Sequence, residues 1–500
     1  MKTEHHLKVT IIGSGFAGLS AACYLAKEGA EVTVIEKNQS AGGRARVFSE
    51  GGFTYDMGPS WYWMPDVFEK FFGYFGKTPQ DYYELKRLDP SYQVFWEDEV
   101  IQIPASYDEL KALFESIEPG AGNNLDKFLG EAAYKYDVGI NKLVYQPGLS
   151  LTEFMQWDVM KSFFRIDLLN SMHKHVRQYF SHPKLLQLAE FPILFLGALP
   201  ENTPALYSLM NYADMKLGTW YPMGGMGKVV EAMYKLAESL GVGFKFNEAV
   251  TDVLAIGNEV QKVTTTTDSY TADAVVVACD YHHAEQSIIP EQYRNYDKAY
   301  WESRDLAPSC IIYYLGLNKK LDGLQHHNLF FDAPFNEHAQ ALYSNPHWPS
   351  NPLMYVCCPS KTDATVAPAD CENLFVLIPV APGLKDTEEI RAQYYDIVMR
   401  RLEQRLGISV RDAVVYKRSY AHHDFVVDYN AYKGNAYGLA NTLKQTAILK
   451  PSIKNKKLHN LFYTGQLTVP GPGVPPSLIS GKIVATQVQK NFTRKNQPEV

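Results

Sequence analysis

The stretch KVTIIGSGFAGLSAACYLAKEGAEVTVIEKNQSAGGRAR, residues 8–46, decides how this chain begins to fold. Residues 9–12 are a short apolar run that stops at Gly13-Ser14-Gly15-Phe16-Ala17-Gly18. An amphipathic stretch follows, then Gly29, then a second apolar run over residues 32–35 that ends on Glu36 and Lys37. Strand, G-x-G-x-x-G, helix, strand and acid stand in the order a dinucleotide site requires. Gly13 permits the tight turn, Gly15 lets the backbone approach a pyrophosphate, and Gly18 lets helix and strand pack closely. A helix starting at Phe16 and Ala17 turns unpaired N–H groups and its positive end toward the phosphates. Glu36 is placed to accept hydrogen bonds from ribose hydroxyls, and its charge repels a 2′-phosphate. The expectation is an α/β fold binding FAD or NAD rather than NADP.

The residues that follow choose between the two. Gly42-Gly43-Arg44 and then Arg46 precede Gly58-Pro59-Ser60. Paired glycines let the chain run close to a cofactor, and Arg44 brings a cation with several donors to its phosphates. Arg46 reads as an ordinary surface cation. Gly58, Pro59 and Ser60 read as a second close passage, beside the redox ring. The segment resembles the double-glycine motif found after the first βαβ unit of FAD-dependent amine oxidases, protoporphyrinogen oxidases and carotenoid desaturases. FAD is therefore the expected cofactor.

Near the C-terminus, residues 461–464 run as a short apolar strand into Gly465-Gln466, followed by Val469-Pro470-Gly471-Pro472-Gly473-Val474-Pro475-Pro476 and a helical stretch over residues 477–489. Pro475 and Pro476 suit a first helical turn, where a missing N–H costs nothing. The helix aims its positive end at whatever precedes it, a good partner for the pyrimidine edge of a reduced flavin. This ending resembles the C-terminal signature of the bacterial-type phytoene desaturase family. So do Gly434-Asn435-Ala436-Tyr437-Gly438-Leu439, Lys450-Pro451 and the glycine pair Gly224-Gly225. Pro472 and Pro476 replace small residues common in the terminal motif, and two further departures, Met223 and Val469, occupy positions where many members carry arginine and histidine. Both touch substrate choice rather than FAD binding.

The resemblance implies a FAD-binding Rossmann-like domain interleaved with a mixed α+β substrate domain. Residues 1–60, 218–285 and 415–492 are expected to form the first, residues 61–217 and 286–414 the second, with a helical, aromatic membrane-contact insertion. Val250 matches the position where related flavoproteins hold the adenine through backbone groups. The activity implied is desaturation of a carotenoid precursor by hydride abstraction, foremost phytoene to lycopene. Alternatives in the family are a later 3,4-desaturase of hydroxylated carotenoids, a diapocarotenoid desaturase and a carotene isomerase. Alternatives outside it are an amine oxidase and a non-catalytic isoprenoid-binding escort. Loss of an allylic hydride leaves a cation acidic enough to shed its proton without a strong base, so Asp56, Glu201 and Asp214 are only minor candidates for a proton acceptor. Trp61, Trp63, Phe191, Phe195 and Leu196 are candidate walls for a long apolar ligand.

Composition narrows the partners. A net charge of −7 gives no electrostatic footprint for nucleic acid. Six scattered cysteines without a C-x-x-C pair suggest reduced thiols in cytoplasm. The histidine pairs 282–283, 326–327 and 422–423 lack metal-ligand spacing and read as surface or turn residues, so no metal is expected. Residues 1–6 are polar and no apolar run reaches the roughly 20 residues a bilayer span needs. A substrate confined to lipid then implies a peripheral enzyme on the inner face of the cell membrane. Oligomeric state is left open by the sequence.

Overall fold

In a computed structural model, residues 7–150, 153, 170–197, 199–442 and 444–495 are described. Five parallel strands form one sheet in the order Leu461–Tyr463, Ala274–Val277, Lys8–Ile12, Glu31–Ile35, Gly243–Lys245. Its central strands are buried runs of β-branched residues, as a parallel sheet covered on both faces demands; Val275 and Val276 have no exposure. The sheet thus gathers strands from the beginning, middle and end of the chain. A three-stranded antiparallel sheet, Val250–Ile256, Glu259–Thr265 and Ser269–Thr271, stands beside it.

The helix Phe16–Lys27 follows the glycine turn and packs on the C-terminal helix Val474–Lys495. The approach is close enough to need glycine: a Cβ on Gly481 would stand 2.5 Å from the Ala17 carbonyl oxygen. Ser20 Oγ donates to the Leu478 carbonyl at 2.7 Å across the same contact.

A seven-stranded sheet forms the other half, in the order Val414–Tyr420, Ser309–Leu317, Glu372–Val380, Met354–Cys357, His327–Phe330, Tyr92–Phe95, Val100–Ile103. Two features differ from the sequence reading. The helical, aromatic segment after residue 60 also contributes the hairpin Tyr92–Phe95/Val100–Ile103, which joins this sheet through a parallel pairing with His327–Phe330. The boundary expected at residue 415 cuts through Val414–Tyr420, a strand that pairs with Ser309–Leu317.

Many aromatics of that segment are core. Phe68, Phe71 and Phe72 are buried, while Tyr74 is exposed. Residues 154–169, part of the expected membrane insertion, and the side chains of Phe195 and Leu196 lie outside the described residues. Among the described residues no helix is long and apolar enough to cross a membrane.

Candidate functional site

The glycine turn opens onto a cavity of about 470 Å³ at the C-terminal ends of the parallel strands. This is where a doubly wound sheet binds its ligand. Of the residues expected to hold a cofactor, all but Gly18 and Ser60 line it.

The turn is built as its sequence implies. Gly13 has φ +104°, in the region that favours glycine, and its N–H donates to the Ile35 carbonyl at 2.8 Å. Gly18 works behind the wall: an added Cβ would lie 2.1 Å from the Gly13 carbonyl oxygen. Gly15 is different. Its backbone is extended, and a Cβ there would meet nothing within 4 Å. Its side-chain direction is open space, while Gly43 seals the turn from the other side, its own added Cβ falling 3.3 Å from Gly15 Cα.

Glu36 lines the cavity, and both carboxylate oxygens already accept hydrogen bonds. Ser14 N–H and Oγ donate to Oε2 at 2.9 and 2.7 Å; Asn38 N–H and Nδ2 donate to Oε1, both at 2.9 Å. Glu36 therefore also ties the glycine turn to the end of the second strand, a duty sequence spacing did not suggest. Glu248, Ala249 and Val250 close that end of the cavity.

Farther along stands Arg44. Nη2 donates to the Asn435 carbonyl at 3.3 Å, and with its amide oxygen turned inward Gln466 accepts from Nη2 at 2.9 Å and Nη1 at 3.2 Å. Nε is buried without a partner. Burial pulls the guanidinium's pKa down, and Asp280 opposes that pull. A buried cation with a free donor at a cavity wall is well matched to an anion. Arg46 is not the surface cation expected: it pairs with Asp428 at 2.7 Å, its side chain only 12% exposed. Desolvating such a cation requires a fixed partner, and Asp428, itself held by Tyr420 OH at 2.9 Å, supplies it.

Met57, Gly58 and Pro59 line the same cavity as Gly465, Gly473 and Tyr437. The Gly465 N–H donates to Ser480 Oγ at 3.0 Å and Thr468 Oγ1 donates to the Gly465 carbonyl at 2.8 Å, pinning the terminal loop to its helix. Val469 is buried but off the cavity wall, and Met223 is also away from it. Ser60 turns instead to Tyr355 OH, 2.9 Å away. The peptide after Pro59 has by then left the cavity.

The three candidate proton acceptors lie elsewhere. Asp56 accepts from Met226 N–H at 2.8 Å and Gly227 N–H at 2.9 Å, capping the helix Gly227–Ser239; burial pushes its carboxyl up to about 6. Glu201 is half exposed beside His173, 3.1 Å away. Asp214 is buried, accepting from Tyr92 OH at 2.9 Å and Thr219 Oγ1 at 3.3 Å, and burial pushes it up to about 7. It stands behind a group of rings in which Trp61 lies 5.0 Å from Trp63 and Tyr92 5.4 Å from Phe191.

Sequence reasoning missed the far wall. Asp280, Phe425, Tyr429 and Tyr437 all reach the cavity. Asp280 carried a usable signal, a carboxylate just past an apolar strand; Tyr437 lay in a quoted motif but had no assigned place. The histidine pairs also need correction: His326, His327 and His422 are buried rather than surface residues, while His423 is exposed as expected.

The cavity is thus lined by an acid, the first residues of a helix, a buried arginine and a set of glycines. That donor set fits FAD. Comparison with known proteins agrees. The model of the flavin-containing amine oxidoreductases matches residues 16–489. A carotenoid 3,4-desaturase of Haloarcula japonica is 43% identical over 479 residues, 95% of this chain and 97% of its own. A zeta-carotene-forming phytoene desaturase of Myxococcus xanthus is 28% identical, covering 96% and 93%. Cyclohexylamine oxidase from Brevibacterium oxydans superposes with TM-score 0.60 at 14% identity, over 98% of this chain and all of its own, a likeness of fold alone.

Proposed function

Because this chain belongs to the flavin-containing amine oxidoreductase family, within its carotenoid desaturases, we propose that it inserts a carbon–carbon double bond into a carotenoid at the 3,4 position of a late intermediate. The observation that carries this reading is the identity of 43% with a 3,4-desaturase across nearly the whole chain, against 28% with a phytoene desaturase. The motifs alone favoured phytoene to lycopene, and that remains the second reading, supported by the resemblance of residues 461–476 to the phytoene desaturase ending.

FAD, when bound, supplies the acceptor for a substrate hydride. The protein's part is to seat it. In this reading the N–H groups of Gly15, Phe16 and Ala17 and the guanidinium of Arg44 hold the phosphates. Glu36, Lys37 and Val250 hold the adenosine end. Gly58, Pro59, Gly465, Gln466, Gly473 and Val474 bound the ring. None of Asp56, Glu201 and Asp214 lines the cavity, in keeping with a proton lost from an already acidic substrate cation rather than pulled off by a dedicated base. The substrate is a long apolar carotenoid, and the protein collects it as a peripheral membrane protein on the cytoplasmic side.

Pigment analysis decides between the two readings. The gene is expressed in hosts that accumulate phytoene, lycopene or a hydroxylated lycopene derivative. A 3,4-desaturase leaves phytoene untouched and lengthens the chromophore in a later-stage host. Conversion of phytoene to lycopene with no later product would reverse the order. Flotation of the purified protein with liposomes tests the membrane contact, and failure to co-float at low and moderate salt rejects it.

A further inference from the structure

Away from the cavity, the seven-stranded sheet assembles a group of side chains that the sequence keeps apart. His327 faces Cys357 directly across the antiparallel pair His327–Phe330/Met354–Cys357, and His326 precedes it. One ring nitrogen from each histidine and Cys357 Sγ all lie within 4.8 Å of one another. All three residues are buried, His327 completely.

The hydrogen bonding of the two rings is alike. His326 Nδ1 is 2.7 Å from Thr362 Oγ1, and His327 Nδ1 is 2.6 Å from Tyr355 OH. In both rings Nε2 is buried without a partner. Each such nitrogen, left alone out of water, carries the desolvation cost of an unmade hydrogen bond. Unpartnered ring nitrogens in a buried cluster that also offers a thiol call for an occupant that accepts lone pairs. A hydroxyl that accepts from Nδ1–H fixes the tautomer with its lone pair on Nε2, the arrangement by which outer hydrogen bonds orient a metal-bound imidazole. For His327 the pattern extends one step further, since the Tyr355 hydroxyl is 2.9 Å from Ser60 Oγ. Trp61 stacks on the His327 ring at 4.1 Å with planes 9° apart, which fixes its rotation.

We propose that His326, His327 and Cys357 form a binding site for one transition-metal ion of the zinc class. Two imidazoles and a thiolate suit a borderline-soft divalent cation and not magnesium or calcium, which take oxygen ligands. Three protein ligands leave a fourth tetrahedral position for water. As the ion binds, the S–H proton of Cys357 passes to solvent and the S–metal bond replaces it. None of the three residues lines the FAD cavity. The ion would therefore clamp the strand His327–Phe330 to Met354–Cys357, and the inference stands independently of the carotenoid that the protein desaturates.

The test uses the full chain with its FAD. The protein is equilibrated by dialysis against buffered zinc from nanomolar to micromolar free ion, and bound metal and flavin are measured per chain. One zinc per chain is expected. Cys357→Ala and His326→Gln each lower the affinity by at least about tenfold with flavin content unchanged. Thr362→Val, which keeps all three ligands and frees only the His326 ring, also lowers it about tenfold. A parent protein that takes up no zinc overturns the proposal, as does a Cys357→Ala protein that binds it as tightly as the parent. Should Cys357→Ala fail to fold, His326→Gln and Thr362→Val decide, and parental zinc affinity in both overturns it equally.

Discussion

Replacing Gly15 by valine separates the two duties of the glycine turn, folding and cofactor binding. Gly15 has φ −70° and ψ 179°, which any residue adopts, and an added Cβ meets no protein atom within 4 Å. The folded chain therefore accepts a Cβ there without strain, and loss of glycine's freedom in the unfolded chain favours the fold by about 0.4–1 kcal/mol. The open direction is where a phosphate must come to accept backbone N–H bonds. A valine there forces the phosphate off its donors, and two charge-assisted bonds at about 1.5–3 kcal/mol each are lost. That is about 3–6 kcal/mol, or roughly a hundredfold to ten-thousandfold in affinity. The measurements are flavin absorbance per chain and the melting temperature of flavin-free protein. Gly15→Val should be colourless yet melt no lower than the flavin-free parent. Gly18→Ala should do the reverse damage, since its Cβ lies 2.1 Å from the Gly13 carbonyl and the turn itself must move. A yellow, fully loaded Gly15→Val protein would refute the reasoning. So would a Gly15→Val apoprotein as unstable as Gly18→Ala.

Two further outcomes are expected. Arg44→Met should lower FAD affinity about tenfold to a hundredfold through loss of a buried charged donor, and equilibrium dialysis of the flavin checks it; unchanged affinity would place Arg44 away from the phosphates. Asp214→Asn should gain stability over the parent as pH rises. Burial lifts the Asp214 carboxyl from 3.8 to about 7, so the folded state favours its protonated form, and that contribution is intact below about pH 4 and lost by pH 7. An amide cannot ionise, so melting curves should show the variant's advantage growing from pH 5 to pH 8, up to roughly 4 kcal/mol; an advantage independent of pH would mean that Asp214 is ionised throughout.

What the sequence disclosed was local. The first strand, glycine turn, helix, second strand and Glu36 follow one another within a short stretch, and each residue's duty follows from its neighbours. The pairing of Tyr92–Phe95 with His327–Phe330 is parallel and distant in sequence, and no pattern within either segment announces it. The same distance hid the cluster at His327, because its third member, Cys357, arrives only by strand register. Arg46 looked like a surface cation because Asp428, its partner, is supplied by the helix His422–Tyr429. Glu36 lines the cavity wall, yet its bonds to Ser14 and Asn38 are not legible in the sequence: both donors stand nearby, but spacing does not say which way a side chain turns.

The sheet order has a consequence for biogenesis. Strand Lys8–Ile12 is flanked by Ala274–Val277 and Glu31–Ile35, and the outer position beyond Ala274–Val277 is taken by Leu461–Tyr463. The helix that carries the glycine turn leans on Val474–Lys495 with no room for a side chain at Gly481. A nascent chain emerging N-terminus first therefore presents its nucleotide-binding turn long before the elements that enclose it are synthesised. The apolar face of Phe16–Lys27 must wait, uncovered or chaperoned, through most of translation. Cofactor loading then follows synthesis of Val474–Lys495, whose first turn supplies Val474 and Ser477 to the cavity wall.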